Sequence, residues 1–222
     1  MTTQTTTTDT SHGDMTTSQD AFHEGQSEIS AGLNGFSSSH QNMQPGGSAD
    51  VNMDILNKLK VCDEAGRSIP LSDLYENCVL LIFIRHFMCG SCKDYVSYIS
   101  AHQFSVPVKI IGCGDYSLIQ EYRKETKCPY PVYADKSRQT YAHLGFFESL
   151  SQADKGEYMT SPISKSVSNV AMHPLQFMRS GNIRQNGGEM LMENGSIKWL
   201  HRMKTSVDHA SIGDIESAIS SE

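Results

Sequence analysis

Aromatic residues are scarce in this 222-residue chain, 8% with a single Trp, and hydrophobic residues of all kinds reach only 38%. A core of that content does not extend over the whole length, so one domain plus a polar tail is expected. No run of about 18 apolar residues exists, so no membrane-spanning segment and no membrane partner are expected. Basic clusters are missing as well. Eighteen Lys and Arg stand against 25 Asp and Glu, a formal charge of −7, which excludes the cationic face of a nucleic-acid-binding protein. No Arg precedes Arg67, and the first residues lack an apolar stretch, so neither a secretory signal nor a mitochondrial transit peptide is expected. The six Cys are irregularly spaced and do not read as a secreted disulfide framework, which points to a reducing compartment, cytosol or nucleus. There is no Gly-rich phosphate loop, no paired-carboxylate site and no Ser-His-Asp arrangement. His201 and His209 are too far apart for a helical metal pair and His143 stands alone, so no metal and no cofactor are expected.

What is present divides unevenly. Residues 1–50 are Thr, Ser, Gln, Gly and Asn, including the run Thr5 to Thr8, and have too little apolar surface to offset the entropy of ordering. A disordered tail is expected there, followed by one domain over 51–222. Lys58 to Cys62 alternates like a short strand. Cys78 to Ile84 (CVLLIFI) is an unbroken, β-branched-rich run that suits a central strand covered on both faces. Helical spacing follows from Gly90 to about His102, then a strand at Val108 to Ile111, a helix through Ile119 to Tyr122, a strand at Pro131 to Ala134 and a helix from Arg138 to Leu144. This alternation implies parallel strands joined by right-handed crossovers. Glu189 to Glu193 and Ser196 to Arg202 flank Asn194-Gly195, a strong hairpin signal, and a last helix is expected over Ile212 to Ile219. The α/β order, with a hairpin and a closing helix, predicts a thioredoxin-like fold, a central mixed sheet flanked by helices. Residues 148–187 interrupt it as a Ser/Gly-rich insertion with one short helix expected near Ile163 to Phe177. Trp199 and Met190-Leu191-Met192 read as core.

The chemistry concentrates in Cys89-Gly90-Ser91-Cys92-Lys93, where the buried strand ends and a helix begins. Backbone N–H groups at a helix N-terminus stabilise a thiolate, and Cys-x-x-Cys spacing brings two sulfurs within disulfide reach. A zinc half-site would need two more ligands at matching spacing, and none stands out. A pair of inert buried thiols is the other alternative.

Two segments, FIRHFMCGSCKDYV (83–96) and YPVYADKSRQTYAHLGF (130–146), resemble the peroxiredoxin-like 2 proteins of the AhpC/TSA antioxidant group. Gly187-Gly188 before a strand, His201-Arg202, and Asp208-His209 extend the resemblance over roughly Leu56 to Ile219. It implies a peroxiredoxin-like version of the fold and a thiol-based redox activity. Aligned on Cys92, Arg85 stands where peroxiredoxins have Pro and Cys89 where they have the Thr that orients peroxide. Their later Arg has no counterpart, since Gly187 and Gly188 stand there and Arg184 lies earlier, which makes Arg85 the substitute candidate.

The resemblance therefore makes Cys92 the attacking sulfur, with Cys89 condensing with its sulfenic acid and Arg85 assisting. The same residues also form the thioredoxin order Cys-Gly-x-Cys-Lys, in which Cys89 attacks. His86, Cys113 and Arg202 are auxiliary candidates: His86 as a tuning group near neutral pH, Cys113 as an alternative resolving thiol at the same strand-end face. The leading expectation is an enzyme reducing hydrogen peroxide or an organic hydroperoxide, recycled by thioredoxin or glutathione. The alternatives are a thiol-disulfide oxidoreductase, a thioredoxin-fold enzyme acting on a small molecule in a dedicated pathway such as secondary metabolism, and a non-catalytic redox-sensing interaction module.

Overall fold

The computed structural model describes residues 51–75, 77–150, 158 and 174–221. The expected tail over 1–50 and the start of the helix expected near Ile163 lie outside the described residues.

The elements run in order from a short helix α1 (Met53–Leu56) through strands β1 (Lys60–Cys62) and β2 (Ser68–Pro70) to the central strand β3 (Cys78–Ile84). Helix α2 (Gly90–Ile99), strand β4 (Val108–Gly112), helix α3 (Ile119–Thr126), strand β5 (Val132–Ala134) and helix α4 (Gln139–His143) complete the parallel half. Helix α5 (Pro174–Arg179), the hairpin β6 (Gly188–Glu193) and β7 (Ser196–Arg202), and helix α6 (Ile212–Ser220) close the chain. The seven strands form one mixed sheet in the order β2-β1-β5-β4-β3-β6-β7. The pairs β3–β4 and β4–β5 are parallel, as the strand-helix alternation requires, and the remaining pairs are antiparallel. This is the thioredoxin fold. The β1–β2 hairpin was not anticipated, because a three-residue strand ending on Pro70 carries no alternation long enough to read. Among the described residues, no helix is long and apolar enough to cross a membrane.

Strand β3 is buried at every position from Val79 to Ile84, and its side chains alternate between two cores. Leu80, Ile82 and Ile84 pack with Cys92, Tyr95, Val96 and Ile99 of α2, Tyr122 of α3 and Ile215 of α6. Val79, Leu81 and Phe83 pack on the opposite face with Leu56, Tyr141 and Leu144. Tyr141 ties the ends of both central strands, its hydroxyl lying 2.7 Å from the Ile84 carbonyl and 2.9 Å from that of Ile111. That anchor fixes the backbone immediately before Arg85. The β6–β7 turn has φ of +51° at Asn194 and +79° at Gly195, the left-handed pair that a tight hairpin turn demands. A bulge between Leu191 and Met192 then shifts the register, so that Glu189 lies opposite His201.

Candidate active site at the end of the central strand

The chain leaves β3 at Ile84 and enters α2 at Gly90, and the intervening loop is pressed against β4. Phe87 lies over Gly112 and Gly114, where a Cβ would fall 2.4 Å and 2.8 Å from its ring. The Phe87 N–H donates to the Ser180 carbonyl at 3.2 Å. The Gly-Cys-Gly sequence after β4 therefore makes room for the loop that carries the thiols.

Cys89 is the N-cap of α2. Its Sγ accepts from the Cys92 N–H at 3.4 Å, the interaction a Ser or Asp oxygen makes at other helix starts. Ser91 Oγ lies 3.1 Å away and the Arg85 Nη1 donates to the same sulfur at 3.6 Å. Cys92 Sγ is 2.9 Å from Cys89 Sγ and accepts from the Arg85 backbone N–H at 3.4 Å. Both cysteines are free thiols. Arg85 is itself buried and held, with Nη2 2.7 Å from the Ile183 carbonyl and Nε 3.2 Å from that of Gln185. The end of the 148–187 insertion thus aims the guanidinium.

These contacts give the two sulfurs opposite characters. The hydrogen bond from Cys92, together with interactions with His86, Arg85 and Ser91, holds the Cys89 thiol well below its ordinary pKa against the cost of burial. Burial, and the neighbouring Cys89 sulfur, push Cys92 well above it. Cys89 is 4% exposed and Cys92 0%. These directions favour Cys89 as the thiolate of the pair, whereas the alignment on Cys92 implies that residue as the attacker.

A second set of residues reaches Cys92 from the far end of the chain. His209 Nε2 lies 3.5 Å from Cys92 Sγ, and its Nδ1 is 2.7 Å from Glu189 Oε1. Glu189 Oε2 is 2.7 Å from His201 Nδ1 and accepts from the Ala210 N–H at 3.2 Å. Tyr95 stacks flat on the His209 ring, centroids 4.1 Å apart at 6°. Tyr158 packs edge-on to the same imidazole, and its hydroxyl accepts the His209 backbone N–H at 3.4 Å. Glu189 is fully buried. Burial alone would raise its pKa, but electrostatic attraction to His209 and the hydrogen bonds from both imidazoles outweigh it and hold the carboxyl at about 2. His201 moves the other way: burial lowers its pKa, and the bond to Glu189 and its charge raise it overall.

A folded pKa near 2 against an ordinary 4.5 makes Glu189 stabilising above pH 4.5, with the contribution lost as pH falls toward 2. The shift corresponds to about 3 kcal/mol. Urea unfolding followed through that window should show wild type losing about that much more stability than Glu189→Gln. Equal slopes would mean that the carboxylate is not held in this way. His201 acts with the opposite sign, its contribution present below pH 6.5 and lost as pH rises through its raised pKa.

The auxiliary candidates separate clearly. His86 is buried, with Nδ1 unpartnered, and burial lowers its pKa to about 4. It is neutral at pH 7, so it does not titrate in the range expected of it. Cys113 belongs to the opposite core cluster from Cys89 and Cys92, and burial raises its pKa to about 11. The parallel pairing of β3 with β4 brings Cys113 to the same end of the sheet as the pair, but its side chain enters the core on the other face. Arg202 donates to the Leu144 carbonyl at 2.6 Å and fastens the end of α4. Among the described residues, no three His, Cys, Asp or Glu are grouped to hold a metal ion.

Sequence reading singled out the arginine and both thiols but passed over Glu189 and His209 as site residues. The Asp208-His209 pair was noted as a recurring piece, and that was the available signal.

Residues 94–205 match the family described as AhpC/TSA antioxidant enzyme. The chain belongs to the AhpC/TSA antioxidant enzyme family. A human protein named Peroxiredoxin-like 2C is 27% identical over 172 residues, covering 71% of this chain and 76% of its own length. Thioredoxin-like protein AAED1, chloroplastic, of Arabidopsis thaliana is 31% identical over 104 residues, 44% of this chain and 42% of its own. A Danio rerio protein named Prostamide/prostaglandin F synthase is 22% identical over 161 residues, 69% of this chain and 80% of its own. Membership in the AhpC/TSA family and the relatives named peroxiredoxin-like and thioredoxin-like give the protein a thiol-based redox role.

Proposed function

We propose that the protein reduces hydrogen peroxide or an organic hydroperoxide with Cys89 as attacking sulfur and Cys92 as resolving sulfur. The observation that carries this reading is the low-pKa Cys89 at the α2 N-terminus, 2.9 Å from a fully buried protonated Cys92. The Cys89 thiolate attacks the distal peroxide oxygen, the O–O bond breaks, and alkoxide or hydroxide leaves and takes up one proton from solvent to become alcohol or water. Cys89 becomes a sulfenic acid. Cys92 then attacks that sulfur, forming the disulfide and releasing hydroxide, which leaves as water with the Cys92 proton. An external dithiol, thioredoxin or two glutathiones, returns two electrons and restores both thiols.

Arg85 stands beside the attacking sulfur with its orientation set by two carbonyls, so its charge stabilises both thiolate and departing oxygen without reorganising. The Thr that orients peroxide in true peroxiredoxins is missing, which predicts slower turnover.

Thiol-disulfide exchange is the second reading, favoured by the Cys-Gly-Ser-Cys-Lys order and using the same attacker. The name of the Danio rerio relative adds a small organic substrate as a variant of the first.

One equivalent of hydrogen peroxide should convert wild type to a Cys89–Cys92 disulfide. In Cys92→Ser the same treatment should leave a sulfenic acid on Cys89 that dimedone captures. Cys89→Ser should stay unlabelled. Labelling of Cys92 in that last variant would reverse the assignment, and no labelling in any variant, with fast reaction toward small disulfides, would select the exchange reading.

A further inference from the structure

Closing the disulfide requires a thiolate at Cys92, the sulfur of the pair that is buried completely and whose pKa burial raises. Its proton faces two acceptors. One is Cys89 Sγ at 2.9 Å, the other His209 Nε2 at 3.5 Å. While Cys89 is a thiolate, the shorter contact holds the proton and supports the charge on Cys89. Once Cys89 has been oxidised, that acceptor has lost its negative charge and His209 is what remains.

The tautomer of His209 follows from its partners. An ionised Glu189 only accepts hydrogen bonds, so the proton of a neutral His209 sits on Nδ1, 2.7 Å from Glu189 Oε1. Nε2 is then a bare lone pair directed at the Cys92 sulfur. We propose that His209, oriented by Glu189, is the proton acceptor through which the buried Cys92 thiol becomes the attacking thiolate of the disulfide-closing step. The inference rests on Cys89 being the sulfur that reacts first.

Charge balance suits the burial. Glu189 lies between His209 and His201, and His201 is biased toward its protonated form. Before transfer the set holds a carboxylate and an imidazolium. After it, the set holds alternating thiolate, imidazolium, carboxylate and imidazolium, and the net charge is unchanged. No isolated charge is left in the interior. The S–H bond of Cys92 breaks and an N–H bond forms at Nε2. In peroxide turnover the departing hydroxide takes up one proton to become water and the imidazole returns to neutral. Glu189 is a positioning residue: it carries no proton itself and fixes the ring.

Among the described residues, few groups face His209. Glu189 comes from β6, Cys92 and Tyr95 from α2, and Tyr158 from the insertion. Beyond Glu189 stand His201 on β7 and Asp208, 3.9 Å from its ring. Burial raises the pKa of both phenols, so neither competes as a base near neutrality.

Ellman's disulfide separates the two steps without peroxide. With one equivalent of this probe, Cys89 should release one thionitrobenzoate in a fast phase. Cys92, attacking the mixed disulfide, should release a second in a slower phase, with peptide mapping of quenched samples assigning each. In His209→Gln the fast phase should stay within about threefold of wild type, which also reports an intact site. The second phase should slow roughly 100-fold, and in Glu189→Gln about tenfold. Transfer inside the protein leaves its proton count unchanged, so the wild-type second phase should vary little between about pH 6 and 8. The His209→Gln phase should rise about tenfold per unit, because the proton must then leave to solvent. A normal fast phase with an unchanged second phase in His209→Gln, or the same pH slope in both proteins, overturns the role of His209 alone. Loss of the fast phase from wild type overturns Cys89 as the first attacker, and this inference with it.

Discussion

Replacing Cys89 by Ser should abolish thioredoxin- or glutathione-coupled peroxide consumption, a loss of roughly 10³-fold or more, because the nucleophile itself is removed. Cys92→Ser should behave differently. Its Cys89 still has the helix N-terminus, the Arg85 guanidinium and Ser91 around it, so one oxidation should proceed and then stall at the sulfenic acid. A single-turnover burst of about one equivalent, followed by little steady turnover, is the expected trace. A burst from Cys89→Ser and none from Cys92→Ser would restore the assignment that the peroxiredoxin alignment implies. Arg85→Lys should not rescue Arg85→Ala. The guanidinium meets two backbone carbonyls and a sulfur at once, a geometry that an ammonium on a flexible stem does not reproduce.

Gly187→Ala should cost about 4 kcal/mol or more, a large stability loss for a methyl-sized change. A Cβ at Gly187 would fall 1.7 Å from the Phe83 carbonyl oxygen and 3.3 Å from the Ile84 carbonyl carbon. Both belong to the central strand, so neither yields as a flexible side chain does. The adjoining Gly188 is crowded in the same way by the His201 carbonyl, at 2.2 Å. For a domain of this size the melting temperature should drop by roughly 10 °C. Gly195→Ala is the comparison: its φ of +79° disfavours a side chain, yet nothing lies within 4 Å, so the cost is backbone strain of about 1 kcal/mol. A Gly187→Ala protein melting within a degree or two of wild type would mean that the hairpin does not approach β3 this closely. The same crowding leaves no room for an Arg side chain at Gly187.

The parallel half of the fold was legible because its signals are local. CVLLIFI is too apolar for an edge strand, and Asn194-Gly195 demands a hairpin. Strand parity would also have placed Cys113. It shares parity with Ile111, which packs against Phe83 and Tyr141, whereas Val108 and Ile110 face the cluster that holds Cys92. The relay to Cys92 was not legible, for two physical reasons. His209 is 117 positions from Cys92 and sits in the loop before α6, where no periodicity speaks for it. Counting outward from Asn194-Gly195 pairs Glu189 with Leu200. Only the bulge between Leu191 and Met192 moves the partner to His201 and turns that imidazole toward the carboxylate.

The capping role of Cys89 sets a direction for the reduction potential. Its sulfur accepts the Cys92 N–H and the Arg85 guanidinium as an anion, and both interactions weaken once the sulfur is a neutral half of a disulfide. Whatever stabilises the thiolate therefore favours the dithiol over the oxidised pair, and each 1.4 kcal/mol so gained raises the midpoint by roughly 30 mV. The oxidised protein is thereby made easier to reduce.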